Sequence, residues 1–166
     1  MLPDSQAIDV ASSFSKGRIL SAYKHGLVEG LLKQKNLLFQ MARLHQGPVH
    51  LLLPQIMDEN IQKMREFFAG YDFDTSIHYT MKPNKSDVFV RHAYKNGINI
   101  DVSSLAELQA ALSAGFKGAD IGCTNTKNRQ YLWLALEHGC LISIDNQLEL
   151  EWLTEMAPMH CCSNVG

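Results

Sequence analysis

The sequence predicts an α/β chain, a partial (β/α)8 barrel of about four βα units. Three observations carry that reading. Strand-like runs begin near Ile77 (IHYTMK), Ile98 (INIDVS), Ala119 (ADIGCT) and Leu141 (LISID), at steps of 21, 21 and 22 residues. Helical stretches fill the intervals, over Asp87–Asn96, Leu105–Ala114, Asn128–His138 and Gln147–Met156. The first three are followed by Gly97, Gly115 and Gly139, and glycine is the usual residue just past a helix C-terminus. Strand, helix, glycine, strand at constant pitch means successive βα units on a parallel sheet. A doubly wound open sheet would share this rhythm, but no glycine-rich phosphate loop follows the first strand, which favours the barrel.

The elements follow in order. Residues 1–16 are polar and unpatterned, and read as a loose lead-in. From Arg18 to Leu44 the apolar residues Leu27, Leu31, Leu32, Leu38 and Met41 recur at helical steps, with Gly26 and Gly30 weakening the middle. Gln46-Gly47-Pro48 ends that helix. The division falls there: 1–46 as lead-in and helix, 47–166 as the first half of a barrel. Val49 to Leu53 is a short apolar run bounded by prolines and predicts a buried strand. Asp58 to Phe68 is amphipathic, with Ile61, Met64, Phe67 and Phe68 on one face and Gly70 closing it. The later helices start near plausible caps at Ser86, Ser104, Thr126 and Asp145 or Asn146. The chain stops where a fifth strand would be due, so it reads as the front half of a longer protein.

Composition removes several classes of function. With 46% apolar and 19% charged residues, the chain has the make-up of a folded domain rather than a disordered one. A net charge of −2 gives no basic surplus for nucleic acid or an anionic membrane. No apolar run approaches the roughly 20 residues of a membrane span, and the acidic N-terminus lacks a secretory n-region. Cys123, Cys140, Cys161 and Cys162 form no CxxC pair or disulfide framework, which places the chain in a reducing cytoplasm. His160-Cys161-Cys162 lacks partners at metal-ligand spacing, so no metal site is expected.

In either architecture the site lies at the C-terminal ends of the strands. Those ends carry Lys82, then Asp101 with Ser103 and Ser104, then Cys123, Thr124 and Asn125, then Asp145. A strand-end lysine is most often only solvated. Ser104 with Glu107 three residues on makes an S-x-x-E capping box, which explains both residues by spacing alone. Asp145 is equally a helix cap. These residues give a polar rim and no reaction.

The same stretches resemble a known family. IHYTMKPN resembles the Tyr-Ala-Val-Lys-Ala-Asn strand of the fold-type III pyridoxal phosphate (PLP) enzymes. INIDVSSLAELQAALSAGF resembles their Phe-Asp-Val-Ala-Ser-x-x-Glu-Leu segment. ADIGCTNTKNRQYLWLALEHG and ISIDNQLELEWL are similar to the next two units, and GPVHLLL to the entry strand. The match is collinear from about Gly47 to about Leu153. It is closer to the ornithine, arginine and diaminopimelate decarboxylases than to the alanine racemases, whose N-terminal barrel is of the same kind.

The resemblance implies a PLP-dependent amino-acid decarboxylase in which Lys82 forms the Schiff base and Asp101 orients and charges that lysine. By position Ser104 and Glu107 join the cofactor-binding set, while Lys127 and Asp145 match positions of structural character. His78 and Thr80 share a strand face with Lys82 by two-residue alternation, and so line the pocket or merely fill the barrel. Pro83 replaces the usual alanine after the lysine, and Cys123-Thr124-Asn125 departs from a Gly-Asn pair. The family's glycine-rich phosphate loop, ring-stacking histidine and Glu-Pro-Gly-Arg motif belong to the second barrel half. That half and the C-terminal β domain are absent from this sequence. The whole family enzyme is a homodimer acting on an amino-acid substrate. The alternative is a non-catalytic PLP-binding protein, or a remnant half barrel acting through partner binding. A half barrel alone is expected to be unstable or to assemble with itself or a partner.

Overall fold

The computed structural model of the chain describes residues 24–163. The expected lead-in over 1–16, and the first residues of the helix expected from Arg18, lie outside these. The chain divides into two compact units between His50 and Leu51.

In the first unit the single helix expected to run to Leu44 is two. Helix α1 (Gly26–Lys33) and helix α2 (Lys35–His45) meet at Gln34, whose φ of −85° and ψ of 54° are not helical. No described residue of either helix is buried, so no packed face holds the two as one rod. The His25 ring accepts the Leu27 N–H at 3.2 Å and starts α1.

In the second unit, α3 (Pro54–Phe68) begins four residues before the amphipathic stretch suggested, with Pro54 in its first turn. Of the apolar face expected on it, Ile61 is buried, while Met64 is 44% and Phe67 63% exposed. Val49 to Leu53 is not a strand. The sheet has four members and this run is not among them. Without a neighbour's ladder the run stays irregular, and Leu51 and Leu52 remain exposed.

The four repeated units are present in order: β1 (His78–Thr80), α4 (Asp87–Lys95), β2 (Asn99–Val102), α5 (Leu105–Ala114), β3 (Ile121–Cys123), α6 (Arg129–Glu137), β4 (Leu141–Ile142) and α7 (Gln147–Ser163). The strands form one parallel sheet in the order β1-β2-β3-β4, with Thr80 opposite Asp101, Val102 opposite Cys123, and Cys123 opposite Ile142. Parallel neighbours joined by helices are the construction of a (β/α)8 barrel, of which these units form one arc. Gly97, Gly115 and Gly139 each leave their helix at positive φ, of 60°, 106° and 66°. Helix α7 runs past the expected end at Met156 and contains Pro158, which forfeits one rung of its ladder.

Alternation sorts the strands into two faces. Met81, Ile100, Val102, Ile121 and Cys123 are buried against Val90 and Ala93 of α4, Leu108 and Ala111 of α5, and Tyr131 and Ala135 of α6. Each large side chain so buried contributes about 1.5–3 kcal/mol. The opposite positions, His78, Thr80, Asn99, Asp101 and Thr124, are polar and partly or fully exposed. The apolar face is therefore the helix side, and the polar face is the one a barrel would turn inward.

Gly118 opens the short 3-10 turn Gly118–Asp120 ahead of β3, and a Cβ there would overlap the His138 carbonyl. Backbone cannot yield as a flexible side chain can. Gly118→Ala is expected to destabilise the domain by about 3 kcal/mol, at the upper end for overpacking. Gly30, within α1 and with nothing near its Cβ position, is expected to gain about 0.5–1 kcal/mol on conversion to alanine. Urea unfolding midpoints of the two variants check both signs.

Candidate functional site

The candidate site is built from the loops that follow the strands. Met81 extends the β1 ladder by donating its N–H to Asp101 O at 3.0 Å, and its side chain is buried. The chain then turns, with Asn84 N–H donating to Met81 O at 3.0 Å. Lys82 and Pro83 are the two central residues of that turn. Lys82 is thus not the last residue of the strand. It stands two positions beyond, exposed, because Pro83 has no N–H to continue a ladder. The turn is braced by the Tyr79 hydroxyl donating to Asn84 O at 2.6 Å, and by Ser86 N–H donating to Asn84 Oδ1 at 3.0 Å.

Asp101 is carried by β2 on the open face. The Thr124 hydroxyl lies 3.4 Å from its Oδ2 and 3.2 Å from Val102 O. Opposite it in the ladder, Gly122 leaves room that a side chain would take, since a Cβ there would stand 3.3 Å from Asp101 Oδ1. His78, Asp101, Gly122, Thr124 and Ser143 line a cleft of about 280 Å³ on this face. That lies just below the ~300–1,000 Å³ of usual ligand pockets, so these strands supply one wall. His78 enters the cleft and is near Asn99 Nδ2 at 3.3 Å, whereas Thr80 is exposed and does not line it. Cys123, read at the rim from its position, is fully buried on the helix side of β3. A larger concavity of about 590 Å³ lies between α5, α6 and α7, around Leu105, Trp133, Leu134 and Met156. Its one charged lining group, Arg129, is paired with Glu155 at 2.9 Å, so the groove has no free acid or base.

Ser104 and Glu107 do cap α5. Ser104 Oγ accepts the Glu107 N–H at 3.3 Å. The carboxylate of Glu107 then reaches past the cap: its Oε2 accepts from Ser103 N–H at 2.7 Å and Ser103 Oγ at 2.9 Å. Glu107 is 2% exposed. Lys85 Nζ stands 2.8 Å from its Oε1, an ionic contact without hydrogen-bond alignment.

The same device recurs two units on. Asn146 Oδ1 accepts the Glu149 N–H at 3.0 Å, and Glu149 Oε2 accepts the Asp145 N–H at 3.1 Å. Lys127 donates to Glu149 twice, from its backbone N–H at 2.8 Å and from Nζ at 3.0 Å. Lys127 Nζ also donates to Asn125 O and lies 4.0 Å from Asp145 Oδ1. Sequence reasoning placed Lys127 and Asp145 as structural, and missed Lys85 and Glu149. The signal was there: Lys85 and Lys127 each precede a helix cap, and each lies 22 residues before its glutamate (85 to 107, 127 to 149).

Burial pushes both glutamates up, but hydrogen bonds outweigh it. For Glu107 the charge of the nearby Lys85 ammonium acts with the hydrogen bonds from the Ser103 N–H and hydroxyl, and for Glu149 the bonds come from the Lys127 and Asp145 backbones and the Lys127 ammonium. Both carboxyls are held below their ordinary value of 4.5.

For the carbonyl cofactor implied by the resemblance, the donor set fits at the reactive end. A primary amine stands on a braced turn, and a carboxylate lies on the adjoining strand beside a glycine. Residues 55–165 match the family model described as pyridoxal-dependent decarboxylase, pyridoxal binding domain. The chain belongs to this family. An uncharacterized protein of Sinorhizobium fredii, y4yA, is 33% identical over 77% of this chain and 28% of its own length. The diaminopimelate decarboxylase of Bacillus subtilis is 28% identical over 76% of this chain and 28% of its own. The chain thus spans little more than a quarter of these relatives. Among solved structures, the Vibrio vulnificus lysine/ornithine decarboxylase complexed with cadaverine superposes with a TM-score of 0.62 at 22% identity, over 74% of this chain and 33% of that one. The Helicobacter pylori diaminopimelate decarboxylase gives 0.60 at 22%, over 72% and 31%. At that identity they establish the barrel fold of this pyridoxal binding domain.

The two glutamate pairs predict the acid limb of stability. A carboxyl held below its unfolded value contributes fully above about pH 4.5, and that contribution drains away as the pH falls through the folded value. Glu149→Gln is therefore expected to lower stability at pH 7 and to flatten the loss between about pH 5 and 3. Lys127→Met strands a buried carboxylate, and is expected to cost about 3 kcal/mol at pH 7. Urea midpoints measured across that pH range check both.

Proposed function

We propose that this chain carries the cofactor-anchoring part of a PLP-dependent amino-acid decarboxylase, with Lys82 as the anchoring amine. One observation carries the reading: within a pyridoxal binding domain, Lys82 is an exposed amine on a braced turn at the C-terminal end of β1, the end at which barrel sites lie. Lys82 offers the amine that would hold the cofactor through its aldehyde, an attachment to which lysine is suited. When bound, PLP supplies the electron sink for the carboxyl-bearing carbon as carbon dioxide leaves. Asp101, on the adjoining strand, would favour the positive charge of a nitrogen held against it. Ser104 and Glu107 belong to the same site through the loop they hold. They fix the end of β2, and with it the carboxylate of Asp101.

The complete enzyme would act on an amino acid, in line with relatives named for diaminopimelate and arginine. We further place it in the cytoplasm as a homodimer, on the resemblance and on a cysteine pattern without a disulfide framework. No helix among the described residues is long and apolar enough to cross a membrane.

Titrating the purified chain with PLP tests this. The expected result is a visible absorption band that borohydride fixes as one adduct, mapped by mass spectrometry to Lys82 and abolished in Lys82→Ala. Asp101→Asn should raise the half-saturating PLP concentration about tenfold, the equivalent of about 1.4 kcal/mol. Labelling scattered over surface lysines would refute the assignment of Lys82.

A further inference from the structure

Lys85 is the charged residue nearest in sequence to the proposed anchoring lysine, and the proposed chemistry gives it no task. It is 63% exposed, yet its ammonium is committed to a carboxylate that is 2% exposed. That carboxylate is fixed in turn by Ser103 N–H and Ser103 Oγ. The pair therefore ties the β1–α4 loop, which holds Lys82, to the β2–α5 loop, which follows Asp101. Within the first loop, Lys82 has a fixed point on either side. Met81 is anchored by its buried side chain and its bond to Asp101 O, and Lys85 by Glu107. Between them, the turn bond from Asn84 N–H to Met81 O, the Tyr79 hydroxyl on Asn84 O and the Ser86 N–H on Asn84 Oδ1 hold the loop.

The second pair shows what this contact is when its role is only to hold the fold. Lys127 and Glu149 are 0% and 1% exposed, and the ammonium also donates to Asn125 O. Lys85 makes one unaligned contact from solvent, and Glu107 Oε1 has no aligned hydrogen-bond donor among the described residues. The first pair is thus the weaker of two equivalent devices, and it closes over the loop with the reactive amine.

We propose that Lys85 is a positioning residue for Lys82: its ion pair with Glu107 sets the turn 81–84 and so places the Lys82 amine relative to Asp101. This rests on the reading of Lys82 as the cofactor lysine. The role is electrostatic at a fixed place, so charge and reach matter and the identity of the cation does not. Lys85→Arg should preserve it, and Lys85→Met, which keeps the stem and removes the charge, should not.

Two readouts on the full chain test this. The first needs no cofactor: amide hydrogen exchange over residues 81–86. Lys85→Met is expected to speed exchange of the Asn84 and Ser86 amides at least fivefold, and to leave the amides around Lys127 unchanged. The second is borohydride-fixed PLP on Lys82. Its half-saturating concentration should rise at least fivefold in Lys85→Met and return to within twofold in Lys85→Arg, with the urea midpoint shifted by less than a third of the Lys127→Met change. Unchanged exchange in Lys85→Met would overturn the proposal whatever PLP does. So would unchanged Lys82 labelling, or a loss that Lys85→Arg does not restore. If the wild-type chain labels no Lys82, the cofactor reading fails first, and a loop change seen by exchange would then be structural alone.

Discussion

The constraint on which this domain turns is a carboxylate in the first turn of a helix, reaching back to the strand that feeds it. Glu107 and Glu149 are each nearly or fully buried, a position that charged side chains occupy only when paired. Each is paired the same way. A cap residue takes the glutamate's own N–H, the residue before the cap gives its N–H to the carboxylate, and a lysine from the preceding unit closes the set. The helix N-terminus favours negative charge at that place. One side chain thereby fixes the end of a strand, the start of a helix and the neighbouring loop. Where the lysine is buried too, as at Lys127, removing it would leave the carboxylate without a counterion, so the arrangement is exacting as well as stabilising.

Around that constraint the sheet is one-sided by construction. Ile100 and Val102 go to the helices and Asn99 and Asp101 to the other face, because successive side chains of a strand point opposite ways. A parallel sheet covered by helices on both faces would read as a continuous apolar run. The polar alternation in β2 therefore belongs to a sheet whose second face meets something other than a second helix layer. In a barrel that face is the interior, and its rim is where Lys82 and Asp101 stand. Leu141, opposite Gly122 in the ladder, lies on that same open face and is 68% exposed.

Most of the fold was legible because it is written in local rules. The 21- and 22-residue pitch, the three glycines at positive φ and the caps at Ser104 and Asn146 all follow from backbone geometry within a few residues, whereas Ser86 stands at the cap position of α4 without a side-chain cap bond. The third cap was misplaced by two residues: Asn128, and not Thr126, accepts the N–H of Tyr131. The failures are those of context. Val49–Leu53 has strand composition but no ladder to join, and the helix read as far as Leu44 breaks at Gln34 where no burial enforces continuity. The face of α3 is apolar at Met64 and Phe67 without being covered among the described residues. For the site, the residue types were legible and their linkage was not. The pairing of Lys85 with Glu107 spans two loops and a strand, and a capping box predicts where Glu107 starts but not that its carboxylate passes Ser104 to reach Ser103.

The two copies of the glutamate device differ in a way their sequence does not announce. Both have a lysine before a cap and a glutamate 22 residues later. What differs is the ground around the lysine. Lys127 follows Asn125, whose φ of 64° turns the backbone so that its carbonyl meets the lysine's own ammonium, and asparagine tolerates that left-handed conformation better than most residues. In the first copy, Pro83 stands where Asn125 stands in the second, two residues before the lysine, and its ring locks φ to the negative side. The first loop cannot fold back over its lysine as the second does, so Lys85 remains in water and Lys82 stands open beside it. A single proline thus separates a closed structural pair from one that leaves an amine accessible, and accessibility is what a lysine needs if it is to react.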